Sequence, residues 1–295
     1  MEIFYGIEKH YVNVTSICLS KLNHNDIITI PTSDNVRARY FSDHLPGIHK
    51  MVRIIHNDQF VTYDENCIIT INLLDNTINT ITNKDIDNKA LSLQSKLQMK
   101  YGNFGEELPE QKMAIRYLTG KEKVLEIGGN IGRNSLIIAS LLENASNLVT
   151  IECDENIANQ LTENRNLNSL LFHIERAALS KRKLIQKGWN TYPSDVLQDG
   201  FSWVNTITLD EIKEKYHIEF DTLVLDCEAA FYYILMDMPE ILDNINVIIM
   251  ENDYLDISHK EYIDKILTEN GFRIDYREAG GWGPCYHCFF EVWKK

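Results

Sequence analysis

No apolar run in this chain approaches the roughly 20 residues that span a bilayer. The longest are Leu136 to Leu142, interrupted by Ser140, and Val247 to Met250, so no membrane partner is expected. The opening Met-Glu-Ile-Phe-Tyr lacks a basic stretch followed by a long apolar segment and does not read as a secretory signal, which sets the expectation of a cytoplasmic protein. Cysteine is sparse and scattered; only Cys285 and Cys288 lie close, and no second pair completes the four ligands of a structural zinc site. Reduced thiols and no metal are the expectation. Positive charge is also short: 29 Lys and Arg against 43 Asp and Glu give a net charge of −14. Such a surface repels phosphate backbones, so nucleic acid is not the expected partner. The one compact basic cluster, Lys181-Arg182-Lys183 with Lys187, reads as a solvated turn.

Internal repeats and low-complexity tracts are absent too. With 44% apolar and 24% charged residues, the 295-residue chain has an ordinary globular composition and the length for one domain plus a small module. Up to about residue 82, short β-rich runs at Ile27–Ile30, Met51–Ile55 and Cys67–Ile71 alternate with Asn, Asp, Pro and Gly turns. That predicts a small β-rich module over residues 1–85, with 7 basic and 10 acidic residues for a net of −3, so it is no polycationic arm. Asn83 to Asn88 reads as a polar break, and Ala90 to Met99 has helical spacing. Residues 86–295 then alternate helices with fully apolar strands, the pattern of an α/β domain with a mostly parallel sheet. Strands are expected at Lys123–Ile127, Leu148–Glu152, Phe172–Ile174, Thr222–Asp226 and Val247–Glu251, with a final pair near Phe272–Tyr276 and Phe289–Trp293. Helices are expected after Leu108, over Asn134–Leu142, and through Ile157 and Leu161.

Chemistry concentrates in Val124-Leu-Glu-Ile-Gly-Gly-Asn-Ile-Gly132, a strand, a glycine turn and a helix start. Glycines 128, 129 and 132 permit positive φ and remove Cβ atoms where backbone would approach a ligand. Glu126, near the strand's carboxyl end, is placed to reach a positively charged α-amino group, directly or through water. A dinucleotide site needs G-x-G-x-x-G so that a helix N-terminus can meet a pyrophosphate, and here Asn130 and Arg133 occupy the second and third glycine positions. A nucleoside sulfonium, with no diphosphate to seat, suits the turn better. Glu152 ends the second strand 26 positions after Glu126 and can accept both hydrogen bonds of a ribose diol. The expected fold is therefore a Rossmann-type class I methyltransferase sheet with helices on both faces, and the expected cofactor is S-adenosyl-L-methionine.

These motifs resemble the FkbM family of methyltransferases over roughly residues 100 to 295. Besides the glycine turn, Thr208-Leu-Asp-Glu-Ile212 resembles the family's T-L-D-E/D-hydrophobic segment, and Asp221-Thr-Leu-Val-Leu-Asp-Cys-Glu228 its D-x-x-x-x-D-x-E-G-x-E strand. The likeness is nearest to forms found in large DNA viruses, which would place the protein in a host cytoplasm. The resemblance implies that Glu126, Gly128, Asn130 and Gly132 hold the methionine part, Glu152 the ribose, and Ala177 and Ala178 the adenine edge. Gly129, Asn134 and Cys153 adjoin these positions and complete the expected cofactor set. Two family residues are replaced: its Gly after D-x-E is Ala229, and its last Glu is Phe231, a change of charge and shape that leaves the acceptor open.

Methyl transfer is an in-line displacement, so alignment supplies much of the catalysis, and an alcohol acceptor must also lose a proton. Asp226, ending a buried strand on the cofactor side, is the first choice of base, and Glu228 the second; either could instead cap the following helix. Glu251 and Asn252 are candidates for binding sugar hydroxyls, Trp282 for stacking on a sugar face in the loop Gly280-Gly-Trp-Gly-Pro284, and Trp189 and His287 for lining the mouth. Asp226, Glu251 and Asp253 are oxygen ligands of the kind a hard cation takes, and Tyr101 to Glu106 could fold over the cofactor as a lid. The leading expectation is an O-methyltransferase acting on a sugar hydroxyl in glycan assembly, with a homodimer as the assembly to look for. An RNA ribose 2′-O-methyltransferase usually sets a lysine beside its acid, and no lysine follows a core strand end here. A third reading, a cofactor-fold binding protein without catalysis, is opposed by the intact glycine turn.

Overall fold

Two compact units divide the chain, Met1–Asn88 and Lys89–Lys295. The computed structural model describes residues 1–24, 26–188 and 190–295. In the first unit, β1 (Glu2–Ile7), β2 (His10–Asn13), β3 (Asn23–His24), β4 (Ile27–Ile30), β5 (Met51–His56), β6 (Gln59–Tyr63), β7 (Cys67–Asn72) and β8 (Ile78–Thr82) form two antiparallel sheets. Their orders are β2-β1-β5-β6 and β3-β4-β7-β8. Alternate β-branched residues (Ile28 and Ile30, Val52 and Ile54, Ile69 and Ile71) turn inward to one core with Tyr5 and Phe41, as a pleat of period two requires. Helices α1 (Thr15–Ile17) and α2 (Asp34–Phe41) complete the unit.

Helix α3 (Asn83–Gln94) corrects the sequence reading, because Asn83 to Asn88 is its first turns and not a break. Asp85 Oδ2 accepts from the Thr82 amide at 2.8 Å while Thr82 Oγ1 accepts from the Asp85 amide at 3.2 Å. Polar residues that look like a linker here satisfy the orphan amides of a helix start.

The second unit holds a seven-stranded sheet. Strands β9 (Val124–Ile127), β10 (Leu148–Ile151) and β11 (His173–Glu175) are followed by a run of short strands, β12 (Ala178–Leu179), β13 (Leu184–Lys187), β14 (Asn190–Pro193), β15 (Ser202–Val204) and β16 (Thr206–Ile207). The main sheet resumes with β17 (Thr222–Leu225), β18 (Val247–Glu251), β19 (Arg273–Glu278) and β20 (Phe290–Lys294) in the order β11-β10-β9-β17-β18-β20-β19. The first five are parallel and β20 is antiparallel to both neighbours. This is the expected Rossmann-type class I arrangement. Chain direction across the sheet reverses between β9 and β17, and open α/β sheets form their ligand crevice beyond the strand ends at such a switch point.

Pleating divides the apolar residues between two cores. Leu125, Ile127, Val149, Ile151, Leu223 and Leu225 pack with α7 (Leu209–Tyr216), α8 (Ala230–Asp237) and α9 (Ile257–Glu269), whose buried residues include Ile212, Phe231 and Ile263. Val124, Leu148, Val224 and Ile249 pack with α4 (Leu108–Tyr117), α5 (Arg133–Leu141) and α6 (Glu155–Leu167). Thr208, in the segment read as a family motif, caps α7 in a reciprocal box with Glu211. The strands between β11 and α7 were not foreseen. They pair as β12 with β16 and as the antiparallel sheet β14-β13-β15. Among the described residues no helix is long and apolar enough to cross a membrane.

Candidate active site

At the switch point lies a cavity of about 620 Å³, within the usual range for ligand sites. Gly128 and Asn130 line it from the turn after β9, and Glu152 and Cys153 from the end of β10. Ala177 and Ala178 line it beyond β11, and Asp226 and Glu228 beyond β17.

The turn is built from backbone contacts. The amides of Gly128 and Gly129 both donate to the Ile151 carbonyl, at 3.0 and 2.9 Å. The Asn130 amide donates to Glu152 Oε2 at 2.9 Å, the Ile131 amide to Asn130 Oδ1 at 2.8 Å, and the Gly132 amide to the Gly129 carbonyl at 2.9 Å. Close contacts within the protein require glycine here, and the expected positive φ is found at Gly128 and Gly132. A Cβ on Gly128, at φ +93°, would stand 1.6 Å from the Asp226 carbonyl oxygen. Gly129 and Gly132 face Thr150 and Leu161, and neither lines the cavity.

Glu126 is corrected as well. On a pleated strand its side chain points to the α4–α6 face, opposite to Ile127, where it is fully buried. There it accepts from Ser135 Oγ at 2.5 Å and from Thr150 Oγ1, and Thr150 is its register partner on β10. Burial lifts its carboxyl to about 7. Glu126 does not line the cavity, so it can hold the crevice in shape but has no direct reach into it. Asn134 is also buried on α5 and does not line the cavity.

Glu152 is suited to a ribose hydroxyl. Its two oxygens each accept one backbone amide, from Asn130 at 2.9 Å and Asp154 at 2.8 Å. The Cys153 amide bears on the same carboxylate, so of the roughly four acceptor positions of a carboxylate about one remains. Cys153 stays a thiol, pushed up to about 11 by burial, with Gln186 donating to its sulfur at 3.6 Å.

Past β17 the backbone is strained: Glu228 and Ala229 both take left-handed conformations, at φ +50° and +63°. Asp226 and Glu228 belong to a set of carboxyls. Burial, and then the charges of Glu107, Glu110, Glu228 and Glu126, raise Asp226 well above the usual range. Glu251 is hydrogen-bonded to Glu110 and pushed up to about 11, chiefly by burial. Glu228 is hydrogen-bonded to Asp253, which raises it to about 8. Arg133 pairs with Glu106 and Glu107 at the edge of this group. Among the described residues, no three of the His, Cys, Asp or Glu side chains stand where they could hold a metal ion.

The acceptor residues expected from sequence scatter. Asn252 is fully buried and bonded to the Cys288 carbonyl at 2.5 Å and to Glu291 at 3.1 Å, which fixes the loop after β18 and corrects its assignment to substrate. Glu251, Trp282 and His287 do not line the cavity; Trp282 is 51% exposed and His287 is exposed. Trp189 lies outside the described residues. The segment Tyr101 to Glu106 is no lid over the cavity. Tyr101 is pinned to α6 through Asn164, Asn103 to Arg133 at 3.0 Å, and Gly102 packs on Ile131.

Other lining residues escaped the sequence reading. Gln186, Tyr192 and Pro193 come from the β13–β14 hairpin, and Tyr233, Ile234 and Asp237 from α8. Arg182 also lines the cavity and clasps Asp237 through Nε at 2.5 Å and Nη2 at 2.8 Å, while Lys181 pairs with Glu240 at 3.1 Å. Lys181 and Arg182 are thus paired with α8 and the turn after it, while Lys183 and Lys187 stay exposed as a solvated turn would leave them. Only the Arg182-Asp237 spacing across 55 residues makes this visible, and no local pattern encodes it.

No family model and no curated protein matches this chain. Solved structures similar to it include an O-methyltransferase from Bacillus cereus in complex with SAH, at 16% identity and TM-score 0.41, covering 73% of this chain and 93% of that one. Fibrillarin from Aeropyrum pernix with natively bound S-adenosyl-L-methionine is 9% identical, with TM-score 0.41 and coverages of 78% and 94%. The ribosomal protein L11 methylase of Lactobacillus delbrueckii subsp. bulgaricus is 13% identical, with TM-score 0.40 and coverages of 66% and 79%. None of the site assignments rests on these likenesses.

Proposed function

We propose that this chain transfers a methyl group from S-adenosylmethionine to a hydroxyl group, and that the acceptor is a sugar. One observation carries the choice of cofactor: all five amides of the turn, from Gly128 to Gly132, are already bonded within the protein. A diphosphate cofactor would need such amides free. What the cavity offers instead is the Glu152 carboxylate for a ribose hydroxyl, two alanines beside the expected adenine, and acids suited to a cation. S-adenosylmethionine supplies the electrophilic methyl group; Asp226 and Glu228 line the cavity where a hydroxyl proton could be taken.

Support for a sugar is of two kinds. The resemblance to FkbM methyltransferases, carried by residues 124–132, 208–212 and 221–228, implies O-methylation in glycan assembly. The charge of −14, with Lys181 and Arg182 already paired to acids, disfavours a polyanionic acceptor such as RNA.

Calorimetry with S-adenosylmethionine tests the cofactor: micromolar binding is expected, and its absence at millimolar ligand would sink every methyltransferase reading. Gly128→Ala should lose that binding, since its Cβ would collide with the Asp226 carbonyl. A tritiated-methyl screen over nucleotide sugars, short glycans and capped RNA then tests the acceptor. Label entering only the RNA would replace the sugar by a ribose 2′-hydroxyl.

A further inference from the structure

Cys285-Tyr-His-Cys288 lacks the second pair of a zinc site, and its backbone shows what the spacing does achieve. Residues Tyr286–Cys288 form a single 3₁₀ turn, closed by the Cys288 amide donating to the Cys285 carbonyl at 2.8 Å. Side chains at i and i+3 eclipse in such a turn, and three steps of its rise set their Cα atoms about 6 Å apart. A disulfide takes Cα separations of about 4.4–6.8 Å, so the backbone already stands where a cross-link needs it. Both residues are free thiols. The other four cysteines, Cys18, Cys67, Cys153 and Cys227, are scattered along the chain and none shares a turn with another.

The turn is held at both ends. Asn252, buried in the loop after β18, donates its amide to the Phe289 carbonyl at 2.7 Å and its Nδ2 to the Cys288 carbonyl at 2.5 Å. The Gly280 amide donates to the Tyr286 carbonyl at 3.0 Å, and the Tyr286 amide to the Gly283 carbonyl at 3.3 Å. This anchoring keeps the two cysteines in register without a ligand. Their access differs. Cys285 is fully buried in the core of α7, α8 and α9, whereas Cys288 is half-buried beside the exposed Tyr286 and His287. A reachable thiol backed by a buried one suits stepwise thiol–disulfide exchange, in which the first meets the oxidant and the second resolves the adduct. Burial pushes Cys285 up to about 11 and raises Cys288 as well, while Lys260 pulls both back; Tyr254, Asp264, Arg277 and Glu291 are the other titratable groups that face the pair. Thiolate is therefore scarce at neutral pH, and exchange here is slow there.

We propose that Cys285 and Cys288 are a redox modification site, which a low-molecular-weight disulfide such as oxidised glutathione converts to an intramolecular disulfide. The Cys288 thiolate attacks one sulfur of the oxidant; a mixed disulfide forms, and one glutathione thiolate leaves with the electron pair of the broken S–S bond. The Cys285 thiolate then attacks Cys288 Sγ and expels the second glutathione thiolate. The two cysteine protons pass through water to the departing thiolates, so two protein thiols are oxidised as one small disulfide is reduced. Closing so short a loop takes little entropy from the unfolded chain, which makes the cross-link a reversible modification and not a staple.

Trypsin leaves both residues in one peptide, 278–294, and Cys227 in another, so a peptide map of the whole chain reads the pairing. The reduced protein, treated with oxidised glutathione at about pH 9 and then with iodoacetamide, should yield that peptide two hydrogens lighter and unalkylated, and dithiothreitol should reverse the change. Cys285→Ser should trap a glutathione adduct on Cys288, whereas Cys288→Ser should gain none on the buried Cys285. Phenylarsine oxide, whose arsenic bridges two adjacent thiols, should protect the same peptide from alkylation in the wild type, a measurement that stands even if a variant does not melt cooperatively. Full alkylation of peptide 278–294 after either reagent, or a disulfide joining it to Cys227, overturns the proposal. A glutathione adduct that persists on Cys288 of the wild type overturns it too, because the buried thiol is then out of reach.

Discussion

Both units bury opposite charges in pairs, Lys50 with Asp34 in the first and Lys260 with Glu291 in the second, and the second also gathers like charges beside its cavity. In the N-terminal unit Arg37 is fully buried, and its guanidinium donates to the carbonyls of Pro31 at 2.8 Å, Asp64 at 2.6 Å and Cys67 at 2.8 Å. Lys50, 2% exposed, donates to the Ile48 carbonyl at 2.8 Å and pairs with Asp34 at 3.1 Å and Asp43 at 2.8 Å. Tyr5 donates to the same Asp34. Beside the cavity of the C-terminal unit carboxyls crowd together instead, Glu251 against Glu110 and Glu228 against Asp253. A satisfied network holds a fold together, whereas an unsatisfied one stores free energy that a ligand can release. The first arrangement marks scaffold and the second marks site.

The largest effect expected from breaking this contrast is on the satisfied side. Arg37→Leu strands three buried carbonyls and should cost about 3–5 kcal/mol, read as a lower urea midpoint for the N-terminal unit. A normal midpoint would mean that Arg37 is not the unit's keystone. The second effect is of pH on the C-terminal unit. Glu126 is held at about 7 and Glu251 at about 11, against 4.5 for an ordinary glutamate. Between those values the folded unit binds more protons than the unfolded chain, so stability is greatest below about 4.5 from these groups and is lost as pH rises. For Glu126 alone the loss through pH 7 is about 3 kcal/mol. Urea unfolding from pH 5 to pH 8 without ligand should show the decline, and stability rising over that interval would contradict the raised carboxyls. The smallest effect comes from Glu251→Gln, which replaces a protonated acid by an amide able to donate to Glu110. It should raise ligand-free stability by about 1 kcal/mol and flatten the pH slope. Destabilisation of that size or more would instead make Glu251 part of a satisfied network.

How much of this was legible depended on whether the signal was local. Val247–Glu251 is a strand because four apolar residues in a row lead up to the final acid, and the structure has the same bounds. The glycine turn was legible because three glycines within five residues stand between an apolar strand and a helix start. Leu184–Lys187, Asn190–Pro193 and Ser202–Val204 were not read as strands, since runs of three or four mixed residues carry no periodicity and their pairing is settled across the chain. The partners of the basic cluster, 55 and 59 residues away, were hidden for the same reason.

The sequence alone determined the class of sheet, the turn at Gly128 to Gly132 and the acid at Glu152, because strand apolarity, glycine placement and strand-end position act over a few residues. Tertiary structure decided what each acid faces. Pleating sent Glu126 to the α5 side although it lies one residue from the strand end. Parallel pairing of β17 with β18 brought the loops carrying Glu228 and Asp253 together across 25 residues of chain, and burial among like charges then set which carboxyls keep their protons. Charge and proton affinity depend on neighbours in space, and those neighbours exist only once the chain has folded.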